Sequence, residues 1–185
     1  MKKLLLHICC ANCAIYCTKR LRGMGYAVEG FFYNPNIHPL AEYSRRRDSL
    51  EKLEEEIGLK VLYFRDFIFE DYFRKISLNE DEHRCQLCWR LRLTQTAEYA
   101  SEKGFDLFST TLLISPYQDQ EKIKLLGEEL SGEFSVQFVF ENFRKGFSQS
   151  QKESKEMGLY RQNYCGCIYS ERDRYLKKEA RSIKD

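Results

Sequence analysis

Short apolar runs rich in branched and aromatic residues recur along the chain, and each is followed by a longer stretch of helical period. The runs are KLLLHI at 3–8, AVEGFFY at 27–33, KVLYF at 60–64, DLFSTTLL at 106–113 and SVQFVF at 135–140. Near-continuous apolarity in so short a run marks a strand covered on both faces. The stretches between carry hydrophobic residues three and four apart: 11–22; 40–57, with Leu40, Tyr43, Leu50, Leu53 and Ile57; 86–103, with Trp89, Leu93, Ala97 and Ala100; and 117–130, with Ile123, Leu126 and Leu130. That spacing lines one face of a helix. Gly58, Gly104 and Gly132 stand where helix C-terminal caps belong. Further helices are expected over 148–157 and from 170. Strand and helix in alternation predict an α/β fold: a parallel sheet of five strands, wound by right-handed crossovers, with helices on both faces. With 185 residues and neither repeat nor linker, the expectation is one domain over 1–185.

This topology makes a statement about the cysteines. In a parallel sheet every strand ends, and every returning helix begins, at the same edge, where open α/β sheets bind ligands. Cys9 and Cys10 end the first strand, and Cys85 and Cys88 open the helix that returns before the fourth. Cys165 and Cys167 follow the fifth strand and a further helix, so the same edge is open to them. Seven of the eight cysteines fall in tight clusters, unlike the dispersed cysteines of a disulfide framework. Clustered thiols in a reducing compartment point to metal or redox chemistry. The start MKKLLLHICC has the lysines and apolar run of a signal peptide but no small-residue cleavage site, so it reads as strand and the compartment as cytoplasm. No apolar run is long enough to span a bilayer. A net charge of +2 does not by itself announce a nucleic-acid partner, and RRR at 45–47, Arg84 with Arg90 and Arg92, RKG from Arg144 and KK at 177–178 each read singly as solvated helix faces.

Cys85-x-x-Cys88 at a helix N-terminus reads as a bidentate metal clamp, because residues three apart share a face and the helix dipole favours thiolate; the competing reading, a redox CxxC, is disfavoured by the polar loop SLNEDEHR before it. Two thiolates from Cys9, Cys10 and Cys13 would complete four sulfur ligands, as in structural zinc or an iron–sulfur cluster. Neighbouring Cα atoms lie about 3.8 Å apart, short of the roughly 4.4 to 6.8 Å of an unstrained disulfide, so Cys9 and Cys10 are poor partners for each other. A polynuclear cluster makes better use of adjacent thiols than a tetrahedral ion does. Cys13 is open to three roles: alternative ligand, ligand to a second metal, or reactive thiolate. Cys17, one turn on, reads as a small buried hydrophobe. Cys165-Gly166-Cys167 brings two thiols into disulfide range through a glycine bend, and suits either a redox dithiol or metal. His7 reads as a core histidine behind the ligands, and His38 and His83 as loop residues. YNPNIHP at 33–39 is a shaped loop at the proposed edge, and in STTLLISPYQDQ at 109–120 Ser115 is expected to cap a helix with Pro116 at its first position. Neither GxxxxGK[ST] nor GxGxxG is present.

The segments LLLHICCANC, FFYNPNIHPLAEYSRR, RCQLCWRLRL, STTLLISPYQD and FRKGFSQSQKESKEMGLYRQNYCGC together resemble the cobalamin-independent epoxyqueuosine reductases of the QueH type. The match runs from the first strand almost to the last helix. One departure is ANC where the family pattern has APC. The resemblance implies a Rossmann-like fold akin to the adenine nucleotide hydrolases and reduction of epoxyqueuosine to queuosine at the wobble position of certain tRNAs. It implies further that Cys9, Cys10, Cys85 and Cys88 hold a [4Fe-4S] cluster and that Cys165 and Cys167 form a redox-active disulfide. Partners would be the tRNA and an unidentified electron donor, without a membrane. Cys13 is then a candidate to anchor an additional mononuclear metal as Lewis acid. Tyr33, Tyr117 and Asp119 are candidate proton donors, while substrate-contacting residues stay unassigned. Two rivals are an ATP-dependent tRNA sulfur-transferase, which the missing phosphate loop disfavours, and a zinc-binding RNA module without catalysis.

Overall fold

The computed structural model describes residues 1–64, 69–77 and 84–182. Five parallel strands form one sheet. They are β1 (Lys3–His7), β2 (Ala27–Phe32), β3 (Val61–Tyr63), β4 (Leu107–Thr110) and β5 (Gln137–Phe138), in the spatial order β3-β2-β1-β4-β5. The helices are α1 (Ala11–Gly23), α2 (Leu40–Ile57), α3 (Glu70–Ile76), α4 (Arg84–Glu102), α5 (Gln120–Phe134), α6 (Phe147–Glu156) and α7 (Ile168–Ser182). The parallel α/β sheet expected from the alternation is therefore observed.

β1 is the centre of the core because Leu4, Leu5 and Leu6 are all fully buried, which requires cover on both faces of the sheet. It pairs with β2 on one side, Leu6 opposite Gly30, and with β4 on the other, Leu6 opposite Ser109. The chain lays down β2 and β3 to one side of β1 and then returns to lay down β4 and β5 on the other. This reversal opens a crevice between the carboxyl ends of β1 and β4, the place where open sheets of this kind take their ligands. Trp89, Leu93, Ala97 and Ala100 of α4 and Ile123, Leu126 and Leu130 of α5 are buried, as their spacing predicts.

Several local expectations need correction. Leu40, assigned to the buried face of α2, is exposed, and only the later members of that stripe reach the core. The run 106–113 leaves the sheet after Thr110, whose side chain accepts from the Leu112 amide and turns the chain into a 3-10 helix, Thr111–Ile114. Ser115 does not cap α5. Its hydroxyl accepts from the Tyr117 amide in a local turn, and Asp119 caps the helix instead through the Lys122 amide at 3.1 Å, so α5 starts at Gln120. The helix also runs past Gly132 and ends with Ser135 in the left-handed region at φ 53°. α3 lies where the residues showed no clear helical pattern. His83 and the polar loop before Cys85 lie outside the described residues.

Gly127, in the middle of α5, is there for packing: a Cβ would sit 2.2 to 2.4 Å from the Phe138 ring of β5. Gly127→Ala is expected to destabilise the protein by about 1 to 3 kcal/mol, the usual range for overpacking a filled core. Urea unfolding at neutral pH, with the midpoint lowered and the slope unchanged, is the check.

Candidate metal centre

The first strand runs through Ile8 into Cys9 and Cys10, and Cys10 is the N-cap of α1, held extended, with Cys13 in the first turn. Because the chain turns here, three sulfurs meet: those of Cys9, Cys10 and Cys13 lie within 4.8 Å of one another, all buried, with Cys9 and Cys10 3.7 Å apart. Thr111, just beyond β4, pins the group from across the crevice. Its Oγ1 accepts from the Cys9 amide at 3.2 Å, and the hydroxyl lies 3.5 Å from the Cys9 sulfur. Gln162 closes the other side, its amide nitrogen donating to the Cys10 sulfur at 2.8 Å while its oxygen accepts from Asn12. Hydrogen bonds from Cys10 and Cys13 hold the Cys9 thiol well below its ordinary pKa. Burial drives Cys10 the other way, and Cys13 rises because it donates to its two neighbours. Cys17 is fully buried, as expected of a small hydrophobe.

α4 begins with Arg84 and carries Cys85 and Cys88 in its first turns. Cys85 is exposed, and Cys88 is buried, which pushes its pKa up to about 12. Among the described residues neither joins the trio within 4.8 Å. One turn after Cys88 comes Arg92, 1% exposed, whose Nε donates to the Cys88 carbonyl at 3.2 Å. Its two terminal nitrogens have no partner among the described residues. The charge of Arg92 reaches Cys88, Cys165 and Cys9, one sulfur from each of the three clusters. His7, at the end of β1, is also within its reach. Burial, with Arg92 adding to it, pushes His7 down to about 3, a neutral ring bonded to Thr110 Oγ1 at 2.9 Å and to the Tyr33 carbonyl. His7 is thus the core histidine expected.

The segment from Leu159 to Cys167 forms a strap over this edge, and its backbone is held by residues far away in sequence. Arg46, 1% exposed, is paired with Glu42 at 2.8 Å and donates to the carbonyls of Cys165 and Tyr164 at 2.9 and 3.0 Å. Glu42 also accepts from the Tyr160 hydroxyl, and Tyr164 donates to the His38 carbonyl while the His38 amide donates to Gly166. Gly166 has φ +132°, and a Cβ there would come within 2.9 Å of Ile37 and 3.3 Å of Arg46. No other residue fits that bend. Arg84 bonds Asp173 at 2.7 Å, which ties α7 to the first turn of α4. Cys167 packs with Tyr72, Ile76 and Cys88 and lies in hydrogen-bond reach of the Tyr72 hydroxyl. Cys165 keeps solvent access as a residue, yet its sulfur is crowded enough for burial to push its pKa up. Gln118 donates to it at 3.6 Å and accepts from the Trp89 indole at 2.6 Å.

Of the candidate proton donors, Asp119 is spent on capping α5, and the Lys122 amide holds its carboxyl below the usual range. Tyr117 is 82% exposed beside Gln118, and Tyr33 stacks on Phe31 and meets Phe64 edge to face. Residue patterns alone missed Arg46, Arg92 and Tyr72. The first two were read as solvated, and for Arg45 and Arg47, which are exposed, that reading holds.

Residues 4–173 match the family described as epoxyqueuosine reductase QueH. An epoxyqueuosine reductase QueH of Dehalococcoides mccartyi is 42% identical over 95% of this chain and 96% of its own length, and that of Thermotoga maritima is 37% identical over 92% and 91%. Two solved structures share the fold. A U34-tRNA thiolase NcsA of Methanococcus maripaludis, with its [4Fe-4S] cluster, superposes at TM-score 0.60 and 16% identity over 91% of this chain and 61% of that one. A predicted tRNA methyltransferase subunit of Methanocaldococcus jannaschii does so at 0.55 and 14% over 84% and 75%. At such identities the likeness is one of fold alone.

His38 is buried, and loss of water pushes its pKa down from 6.5 to about 4. Between those values the unfolded chain takes up the proton and the folded one does not, so stability is full above pH 6.5 and falls as the pH drops towards 4. Urea unfolding at pH 7 and pH 5 is expected to show a smaller loss for His38→Phe than for the wild type, with His7 sustaining the remainder.

Proposed function

The chain belongs to the QueH family and is an epoxyqueuosine reductase, an oxidoreductase; from that premise we propose that it removes the epoxide oxygen of epoxyqueuosine in tRNA as water, using electrons delivered through a [4Fe-4S] cluster on Cys9, Cys10, Cys85 and Cys88. What carries this reading is the buried set of sulfurs at the β1/β4 crevice, with Cys88 and Cys165 in the field of the same arginine as Cys9. Thiolates are the donor set of Fe–S clusters, and the four cysteines would each hold one iron of such a cluster. Two sulfurs from each of two elements facing one crevice suit that arrangement. When bound, the cluster supplies electrons one at a time.

The remaining work falls to side chains of the chain itself. Deoxygenating an epoxide takes two electrons and two protons and yields an alkene and water. Cys165 and Cys167, closing from dithiol to disulfide, release both electrons and both protons, so the stoichiometry balances without another store. Reopening that disulfide is then the task of the external donor, working through the cluster. The Gly166 bend and the grip of Arg46 on the Cys165 and Tyr164 carbonyls fix the backbone that carries the two thiols. Thr111 and Gln162 donate to the Cys9 and Cys10 sulfurs and orient them. Cys13, third of the trio, is the residue to anchor an additional mononuclear metal. Tyr117, exposed on a turn that Arg144 holds through the Ser115 and Gln118 carbonyls, is placed to stack on a base splayed from an anticodon loop. We assign the work to one α/β domain over 1–185 in the cytoplasm, where clustered thiols stay reduced. Among the described residues no helix is long and apolar enough to cross a membrane.

Anaerobic preparation with iron and sulfide quantification is the direct test. A brown protein with matching iron and sulfide is expected, with Cys88→Ser losing most of both. Cys167→Ser is expected to keep the cluster absorbance and lose turnover on tRNA carrying epoxyqueuosine. A colourless, zinc-loaded protein overturns the cluster, and undiminished multiple turnover of the Cys167 variant overturns the dithiol role.

A further inference from the structure

Among the described residues two arginines are almost wholly buried, and they are used differently. Arg46 has every nitrogen employed: Nε on Glu42 and the two terminal nitrogens on the carbonyls of Cys165 and Tyr164. Arg92 is equally buried, but only its Nε is bonded, to the Cys88 carbonyl one turn back on α4. Its terminal nitrogens meet neither carboxylate nor carbonyl among the described residues. A guanidinium stays charged at any working pH, has donors and no acceptor, and is never left dry without an anion when a protein can supply one. The anion here cannot be a backbone phosphate of a docked RNA, because a side chain 1% exposed is out of its reach. The groups its charge acts on most are thiols, those of Cys88 on its own helix, Cys165 on the strap and Cys9 just beyond β1, ahead of the Tyr72 hydroxyl.

We propose that Arg92 is the built-in counter-cation of the iron–sulfur cluster, a positioning residue that directs its two unpartnered donors at the thiolate cage and raises the cluster's reduction potential. The inference rests on the cluster reading given above. Four thiolates outweigh the positive charge of a cluster core, so the loaded site is anionic and becomes more so on accepting an electron. A fixed positive charge in a dry site favours the reduced form more than the oxidised form. Net charge and hydrogen bonds to sulfur are the terms by which a protein sets such a potential. Placing the cation one turn after Cys88 makes one helix supply both two ligands and their compensation.

The test compares wild type, Arg92→Met and Arg92→Lys in EPR-monitored redox titrations, with iron and sulfide measured on each sample and thermal unfolding measured on the apoproteins. Arg92→Met is expected to weaken electron uptake by tenfold or more, a downward shift of about 59 mV for a one-electron couple, while Arg92→Lys stays close to wild type. The apoprotein of Arg92→Met is expected to be no less stable than wild type, since an unpaired buried charge has been replaced by packing. A purely structural arginine predicts the opposite. An unchanged potential in fully loaded Arg92→Met, or an apoprotein weakened by the change, overturns the assignment to Arg92 and leaves the cluster reading standing. If Arg92→Met takes up no iron, Arg92→Lys decides: loading with a near-wild-type potential supports the proposal, and an equally empty lysine variant overturns it. Wild type without iron and sulfide brings down the cluster reading and this inference together.

Discussion

A parallel sheet delivers all its strand ends to one side, and the reversal of chain order between β1 and β4 leaves a gap there that no strand covers. The trio of Cys9, Cys10 and Cys13 lies beside that gap. The backbone of Cys9 is tied across it to Thr111, and the ring of His7 is tied across it to Thr110. Neither bond is an ordinary ladder contact. Both lock the exit of the central strand to the exit of its neighbour, so the direction in which Cys9 and Cys10 leave the sheet follows from the register of β1 on β4. A one-residue slip would turn every side chain of β1 to the opposite face and carry His7 away from Thr110.

Placing thiols on a loop leaves them wherever the loop goes, and the strap from Leu159 to Cys167 has little regular structure of its own. Its position is imposed from below. Glu42 and Arg46, four residues apart on α2, form a buried ion pair whose spare hydrogen-bonding capacity is turned outward to Tyr160, Tyr164 and Cys165. A buried pair of this kind adds little net stability by itself, but removing one partner costs about 3 to 5 kcal/mol because the other charge is stranded. The pair therefore acts as a specific socket for the strap. The Tyr160 and Tyr164 rings, each lying over an arginine, complete it.

The layout of the sheet was legible in the residues because apolar runs and helical period are local signals, and the cysteine clusters were legible because their spacing is local too. Boundaries were less so. Nothing in DLFSTTLL marks the point where a strand becomes a 3-10 helix, since Leu112 and Leu113 are as buried after the change as Leu107 and Phe108 are before it. The buried charges escaped for a related reason. An arginine four residues after a glutamate reads as a surface pair on any helix, and only contacts 118 and 119 positions away distinguish Arg46 from its solvated neighbours. Arg92 sits in the same run as Arg90, which makes an exposed bidentate bond to Glu129, so composition could not separate them. The resemblance to a known family supplied the roles of the cysteines, which geometry of the residues alone had left open between several chemistries.

The pairing of β1 with β4 joins residues 103 positions apart, as between His7 and Thr110. On the ribosome, Cys9, Cys10 and Cys13 emerge long before the strand that closes the crevice beside them and before the helix that brings Cys85 and Cys88. Contacts so remote along the chain form late and slowly. For that interval the nascent chain carries three unprotected thiols and an unpaired edge of its central strand, so the trio is closed in only after β4 and Thr111 have been made.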